Sequence, residues 1–353
     1  MGAQSTAQST AQSSALPPTI DDTRIWDAWL SQFRLPILNV NMEVGTFRAL
    51  SDAAFTTDEL AAELQLDARA LAMHLAALSA QGFVEKRLGK WRTTHLARTW
   101  LHPQATGFWG HFLGQIDRNE HLRSRLLESL RTGKRPEEGT DKRPAGWEAG
   151  TMPPEVAANI AAFMQAHSQA PALGAARQPV FGELECLMDV GCGSGVYGIE
   201  IARANPALSV VLMDLKEVAA EAAKYVDKAG MAARVTTAPV NMFEQEWPQG
   251  PDAHLFCNVF HDWSEETNRD LARRSFAALP SGGRIFLHEI LMDDDYTGPW
   301  HAAAFSLLML IGTLGKQYSL AELREILESA GFEDVQAQRT GGGYYSLVSA
   351  RKP

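Results

Sequence analysis

Cysteine is scarce in this sequence: 353 residues hold three, Cys186, Cys192 and Cys257. Their spacing fits neither a metal-ligand set nor a disulfide framework, so no metal is expected, and a reducing cytoplasm suits the chain. No run of about 18 apolar residues occurs, so no segment is expected to span a membrane. Basic charge is also short. Lys and Arg number 32 against 42 Asp and Glu, a formal net charge of −10, which argues against a broad surface for nucleic acid or anionic lipid. The N-terminus has no basic, apolar-centred signal peptide. Its AQST and AQSS repeats lack apolar side chains to bury, and residues 1–20 read as a disordered tail.

What is present is the composition of a globular protein, 45% hydrophobic and 21% charged, in a chain longer than one core usually serves. From residue 21 to about 110 the pattern is helical. "FTTDELAAELQL" opens on Thr57 as the expected N-cap. "DARALAMHLAALSAQGFV" repeats the device, with Asp67 as cap and Leu71, Leu75 and Leu78 on one face. "VEKRLGKWRTT" alternates around a glycine turn and reads as a small β-wing. Two short helices and a wing suggest a winged helix, a shape that binds DNA when its second helix is basic. Here that helix offers Arg69 and His74 only, far short of a phosphate-binding set. The apolar helices at 24–50 carry more hydrophobic surface than one small domain buries, which points to a second copy of the chain as partner, a homodimer.

Residues 111–170 read as a helical connector, exposed and rich in Gly, Pro and charge over 132–150. From residue 171 to 353 the pattern changes to short apolar strands alternating with helices: "CLMDV", "LSVVLMDL", "ARVTTAPV", "DAHLFCNVF", "GRIFLHEIL", "EDVQAQRT" and "YYSLVSARK". This predicts a doubly wound α/β sheet. Only "GGG" separates the last two strands, so they form an antiparallel hairpin.

Gly191, Gly193 and Gly195 after the first of these strands allow a tight turn and bring a ligand close to backbone N–H groups. Nicotinamide enzymes use such a turn too, but their pattern wants glycine where this chain has Val196. Asp189 would repel a pyrophosphate and suits a cationic ligand, reached through the loop or a water. Asp214 ends the second strand, where a carboxylate accepts from ribose hydroxyls. A nucleoside without phosphates, a positive centre and an antiparallel final strand together point to S-adenosylmethionine (SAM) as cofactor.

At this point the chain resembles the small-molecule O-methyltransferases of the plant caffeate and bacterial antibiotic-tailoring type. The likeness rests on "NMEVGTFRAL", "TTDELAAELQLDARAL", "DVGCGSG", "MDLKEV", "NMFEQEWP", "HDWSEE", "LPSGGRIFLHEI" and "LAELREILESAGFEDV", in the family's order over residues 23–353. It implies a Rossmann-like class I methyltransferase sheet preceded by a mainly helical, winged-helix dimerisation domain. It places the cofactor against Met164 and Ser168, the glycine turn, Asp214 and Leu215, Asn241, Met242 and Phe243, and Cys257 with Asn258. It makes His261 the general base for an acceptor hydroxyl, with Asp262 and Trp263 expected to cap the next helix and wall the pocket. Of two carboxylates that orient the family's histidine, one falls on Glu289 and the other on Gln317, which cannot stabilise an imidazolium as an anion would. The expected acceptor pocket holds Phe163, His167, Trp300, His301, Phe305, Leu308 and Met309. Gln317 leaves C- or N-methylation, or a non-methylating SAM reaction, open beside O-methylation; a ligand-sensing DNA-binding regulator is the remaining alternative.

Overall fold

The computed structural model describes residues 31, 34–66, 68, 71, 74–75, 78–79, 81–116, 135, 147, 150–294, 299, 302, 305–306, 308–309, 312–341 and 344–353. The expected tail at 1–20 and the Asp67 cap lie outside them.

The N-terminal region holds helices α1 (Arg34–Glu43), α2 (Thr46–Asp52) and α3 (Thr57–Leu64), then a two-stranded hairpin of β1 (Val84–Arg87) and β2 (Lys90–Thr93). Helices α4 (His95–Trp100) and α5 (Gly110–Ile116) follow. Leu71, Leu75 and Leu78 are buried together with Phe47, Leu50 and Trp91, so the leucine spacing is a core face. The cap of α3 is Thr56 and not Thr57. Its Oγ1 accepts from Glu59 N at 3.2 Å, and Glu59 Oε2 accepts from Thr56 N at 2.7 Å. A reciprocal box needs its glutamate three residues after the cap, which selects the first threonine of the pair. Thr57 instead accepts from Trp91 Nε1 at 3.1 Å.

Helix α6 (Pro154–Ala176) runs unbroken through residue 170, where the connector was expected to end. Buried Ala157, Ala161, Ala172, Gly174 and Ala175 make one side of it thin, letting it lie against α7 (Val196–Ala204) and α8 (Lys216–Ala229). Pro171 inside it has no N–H for the carbonyl of His167.

All seven expected strands form: β3 (Cys186–Val190), β4 (Ser209–Asp214), β5 (Val235–Pro239), β6 (Ala253–Cys257), β7 (Arg284–Glu289), β8 (Glu333–Arg339) and β9 (Ser346–Arg351). They make one sheet in the order β5-β4-β3-β6-β7-β9-β8, with β9 antiparallel to both neighbours and the other pairs parallel. Alternate side chains serve opposite faces. Leu187, Leu255 and Phe286 enter one core, while Met188, Phe256 and Leu287 enter the other. Helices α9 (Glu265–Ala278) and α10 (Leu320–Ser329) supply part of the second. The strand order reverses at β3, flanked by β4 and β6. An open sheet of this kind opens a crevice at the carboxyl ends there.

Candidate active site

A cleft of about 1030 Å³ lies at that reversal. One end is built from backbone. Gly191 and Gly193 have φ of 71° and 57°, which glycine adopts without strain. A Cβ on Gly191 would stand 2.9 Å from Val259, and one on Gly193 would stand 3.3 Å from Met164. Asp214 is held at the rim: Oδ2 accepts from Gly193 N at 2.9 Å and Oδ1 from Leu215 N at 2.7 Å. Burial pushes its carboxyl up to about 6 against the opposing pull of those two N–H groups. Each oxygen keeps a lone pair for a ligand hydroxyl. Met164, Leu215, Met242 and Phe243 supply an apolar wall. Asn241 Oδ1 accepts from Phe243 N at 3.0 Å, so the oxygen expected at an exocyclic amine also holds its own turn.

Asp189 does not line this cleft. It is buried behind the glycine turn, where Oδ2 accepts from Gly198 N at 3.1 Å in the first turn of α7. Burial raises its carboxyl to about 7, opposed by the Gly198 N–H and reinforced by the Asp214 charge. Ser168, Gly195 and Cys257 likewise stand behind the wall, whereas Asn258 is on it.

The other end is built from side chains. His261 sits on the turn Phe260–Asp262 that follows β6. Its Nδ1 is 2.9 Å from Glu289 Oε2, while Glu289 Oε1 accepts from the backbone N–H of Val259 and Phe260, both at 3.1 Å. One carboxylate at the end of β7 thus anchors both the turn and the ring. Gln317 Nε2 is 3.2 Å from the same Nδ1, and its buried Oε1 has no hydrogen-bond partner. Glu289 Oε2 likewise has no aligned hydrogen bond, so its close contact with Nδ1 is an ion pair.

Nε2 faces Asp262 Oδ1 at 3.7 Å. Burial alone would lower the His261 pKa, but the Glu289 charge and then Asp262 outweigh it and raise the pKa to about 9. The ring is therefore an imidazolium at neutral pH, whereas an ordinary histidine pKa near 6.5 would leave it neutral. Asp262 itself does not cap α9. Ser264 does, its Oγ accepting from Thr267 N at 3.2 Å. Trp263 lines the cleft as expected, its ring centroid 4.7 Å from that of Phe243 in an edge-to-face contact.

The loop that brings Gln317 to the ring depends on a residue the sequence reading did not single out. A Cβ on Gly315 would collide with the carbonyl of His261 and stand 2.7 Å from Trp263 N. Leu314 N donates to Asp262 O at 3.1 Å, and Tyr318 Oη donates to Trp263 O at 2.6 Å.

Above His261 the wall is aromatic. Phe305 lies 5.2 Å from the His261 ring, and Phe112 lies 4.6 Å from Phe163 and 5.5 Å from His167. Burial and then the charge of His261 lower the His167 pKa to about 4, so it is neutral. Leu308 and Met309 line the same end. Trp300 and His301 lie outside the described residues. Phe112, Trp147 and Ile160 line the cleft without having been expected there; nothing in their spacing separates them from ordinary core or surface positions.

Comparisons with known proteins give the family and the fold. Residues 137–333 match the family model of the O-methyltransferase domain. The chain is similar to the 3-hydroxy-5-methyl-1-naphthoate 3-O-methyltransferase of Streptomyces sahachiroi, 32% identical over 92% of this chain and 93% of that protein. It is also similar to the L-tyrosine C(3)-methyltransferase of Streptomyces lavendulae, 29% identical over 86% of this chain and 84% of that one. The solved structure of human N-acetylserotonin methyltransferase in complex with SAM superposes with a TM-score of 0.80 at 22% identity, over 96% of this chain and 99% of the other. At that identity the likeness speaks for the fold.

Proposed function

Because this chain belongs to the SAM-dependent O-methyltransferase family, we propose that its acceptor is a phenol or enol of a small aromatic or polyketide-like metabolite, deprotonated by His261. The observation that carries this reading is the His261–Glu289 pair, 2.9 Å apart, in one cleft between a backbone-built wall and an aromatic one. The cofactor end fits a nucleoside: Asp214 offers lone pairs to a diol, the glycine turn leaves no room for side chains, and the facing wall is apolar. Bound SAM supplies an electrophilic methyl on a sulfonium.

The chain's own residues do the rest. Phe112, Phe163 and Phe305 present flat apolar surface to a ring. The Glu289 charge 2.9 Å from Nδ1 favours a proton on that nitrogen, which leaves Nε2 to receive a proton from the acceptor. A phenol titrates near 10, and proton transfer to a group at 6.5 is uphill by about 5 kcal/mol. Transfer to a histidine raised to about 9 is far less uphill, near the matched condition for general-base catalysis.

C-methylation is a second reading. Gln317 stands in place of a carboxylate, and one relative is a tyrosine C(3)-methyltransferase; a phenolate attacks through its ring carbon as well as through oxygen. Incubating the protein with labelled SAM and a panel of phenols, enols and amines, then locating the label by NMR, decides between them. Label on oxygen supports the first reading; label on carbon or nitrogen sinks it.

The same proposal divides the chain into a winged-helix-like unit (21–110), a connector from 111 and a methyltransferase unit to 353, with α6 crossing the boundary expected at 170, paired as a homodimer in the cytoplasm without nucleic acid or membrane. Val40 on α1, 42% exposed, is available to such a partner. A monomer by light scattering at micromolar concentration contradicts the dimer.

A further inference from the structure

We propose that Tyr345, acting through Asn258, is a positioning residue for cofactor binding. Asn258 follows β6 with φ of 56°, a left-handed conformation that asparagine tolerates better than most residues. It lies on the cleft wall beside Val259 and three residues before His261. Its Oδ1 accepts from Tyr345 Oη at 2.9 Å. That bond fixes which way the amide points and leaves Nδ2 buried without a hydrogen-bond partner among the described residues. A buried donor with nothing to donate to is costly, and a ligand oxygen relieves that cost.

The direction of the remaining bonds follows from counting protons. Tyr345 has one hydroxyl proton, given to Asn258, so its oxygen can only accept from His167 Nε2 at 3.4 Å. His167 Nδ1 then accepts from Ser168 Oγ at 3.3 Å. The chain therefore runs Ser168, His167, Tyr345, Asn258, joining α6 to the end of β6, the two elements that flank the glycine turn. It forms only with a neutral His167, and burial and His261 both favour that state. Pro171 frees the His167 carbonyl, so this turn of α6 has one backbone bond fewer to hold it.

Tyr345 is itself clamped. Thr340, across the glycine-rich hairpin, donates both its N–H and its Oγ1 to the Tyr345 carbonyl, at 3.3 and 3.4 Å. The ring of His288 lies 13° from parallel to the Tyr345 ring at 5.1 Å, and His288 is held by Thr340 Oγ1 at 2.9 Å and Tyr197 Oη at 3.0 Å. So much fixation around one hydroxyl is wasted on a side chain that merely fills the core, where phenylalanine would serve.

The inference rests on the reading that Asn258 faces the cofactor, and calorimetry with S-adenosylhomocysteine separates the two. Asn258→Gly keeps the backbone conformation and removes the amide; about a tenfold rise in Kd is expected. Tyr345→Phe removes only the hydroxyl and is expected to raise Kd to a similar extent, with a folding midpoint within a few degrees of wild type. In the Asn258→Gly background Tyr345→Phe should add nothing, because its effect passes through that amide. Should Tyr345→Phe fail to fold, His167→Leu breaks the chain at its other end and is expected to weaken binding several-fold. An unchanged Kd in Asn258→Gly removes Asn258 from the cofactor. A weakened Asn258→Gly beside an unchanged Tyr345→Phe, or losses that add in the double variant, overturns the positioning role.

Discussion

The two ends of the cleft are made from different material. At the glycine-turn end a carboxylate is tied to two backbone N–H groups at adjacent strand ends of one sheet, faced by an apolar wall of Met164, Leu215, Met242 and Phe243. At the acceptor end the contacts are side chains from α5, α6, the turn after β6 and the loop before α10, brought together only by tertiary packing. The sheet sets the first end to within the tolerance of its hydrogen bonds, which suits a ligand that never changes. The second end can vary residue by residue while the first stays fixed, which suits a family with many acceptors. The charges divide the same way. Asp214 is held by two backbone N–H groups at one end, whereas His261 and Glu289 form a charged pair at the other.

Substitutions that strike one end should spare the other. The largest effect is expected from His261→Gln: kcat falls by about 10²–10⁴ while the Kd of S-adenosylhomocysteine stays within a few-fold, measured by steady-state kinetics and calorimetry. Gly315→Ala comes next. With a methyl forced against the His261 carbonyl, stability should drop by about 1–3 kcal/mol and kcat by about 10²-fold through a displaced ring. Asp214→Ala should have the complementary effect, loosening S-adenosylhomocysteine more than tenfold, about 1.5–3 kcal/mol. An Asp214→Ala protein that binds with unchanged Kd would take that carboxylate out of the site, and the division between the ends would fail with it.

The same division explains what could be read in the sequence. Most of the seven strands were legible as short apolar runs closed by Gly, Pro or a polar turn, β8 (EDVQAQR) being the polar edge exception, and the glycine turn with Asp214 is local to two of them. Caps were legible in kind and missed by position: Thr56 and Ser264 serve where Thr57 and Asp262 were expected. Both are decided by which oxygen reaches the third backbone N–H onward. Asp189 was placed near the ligand on its charge, acting through the loop or a water, and its side chain holds the helix behind the turn. Phe112, Gly315 and Tyr345 left no local signal, because their roles come from the elements that approach them. The histidine pKa was out of reach for the same reason: it depends on a glutamate 28 residues away in the chain.

The central claim is that His261, set by Glu289, is the group that takes the acceptor's proton. A pKa raised from 6.5 to about 9 means the ion pair adds stability below pH 6.5 and loses it as pH rises through 9, and the neutral base appears only on that rise. The pH dependence of kcat/KM tests this most directly. For the wild type it should climb with a limb near pH 9. The limb should move higher in Gln317→Glu, where a second carboxylate favours the imidazolium, and vanish in His261→Gln. A limb that survives unchanged in His261→Gln would show that another group removes the proton, and the account of this site would be wrong at its centre.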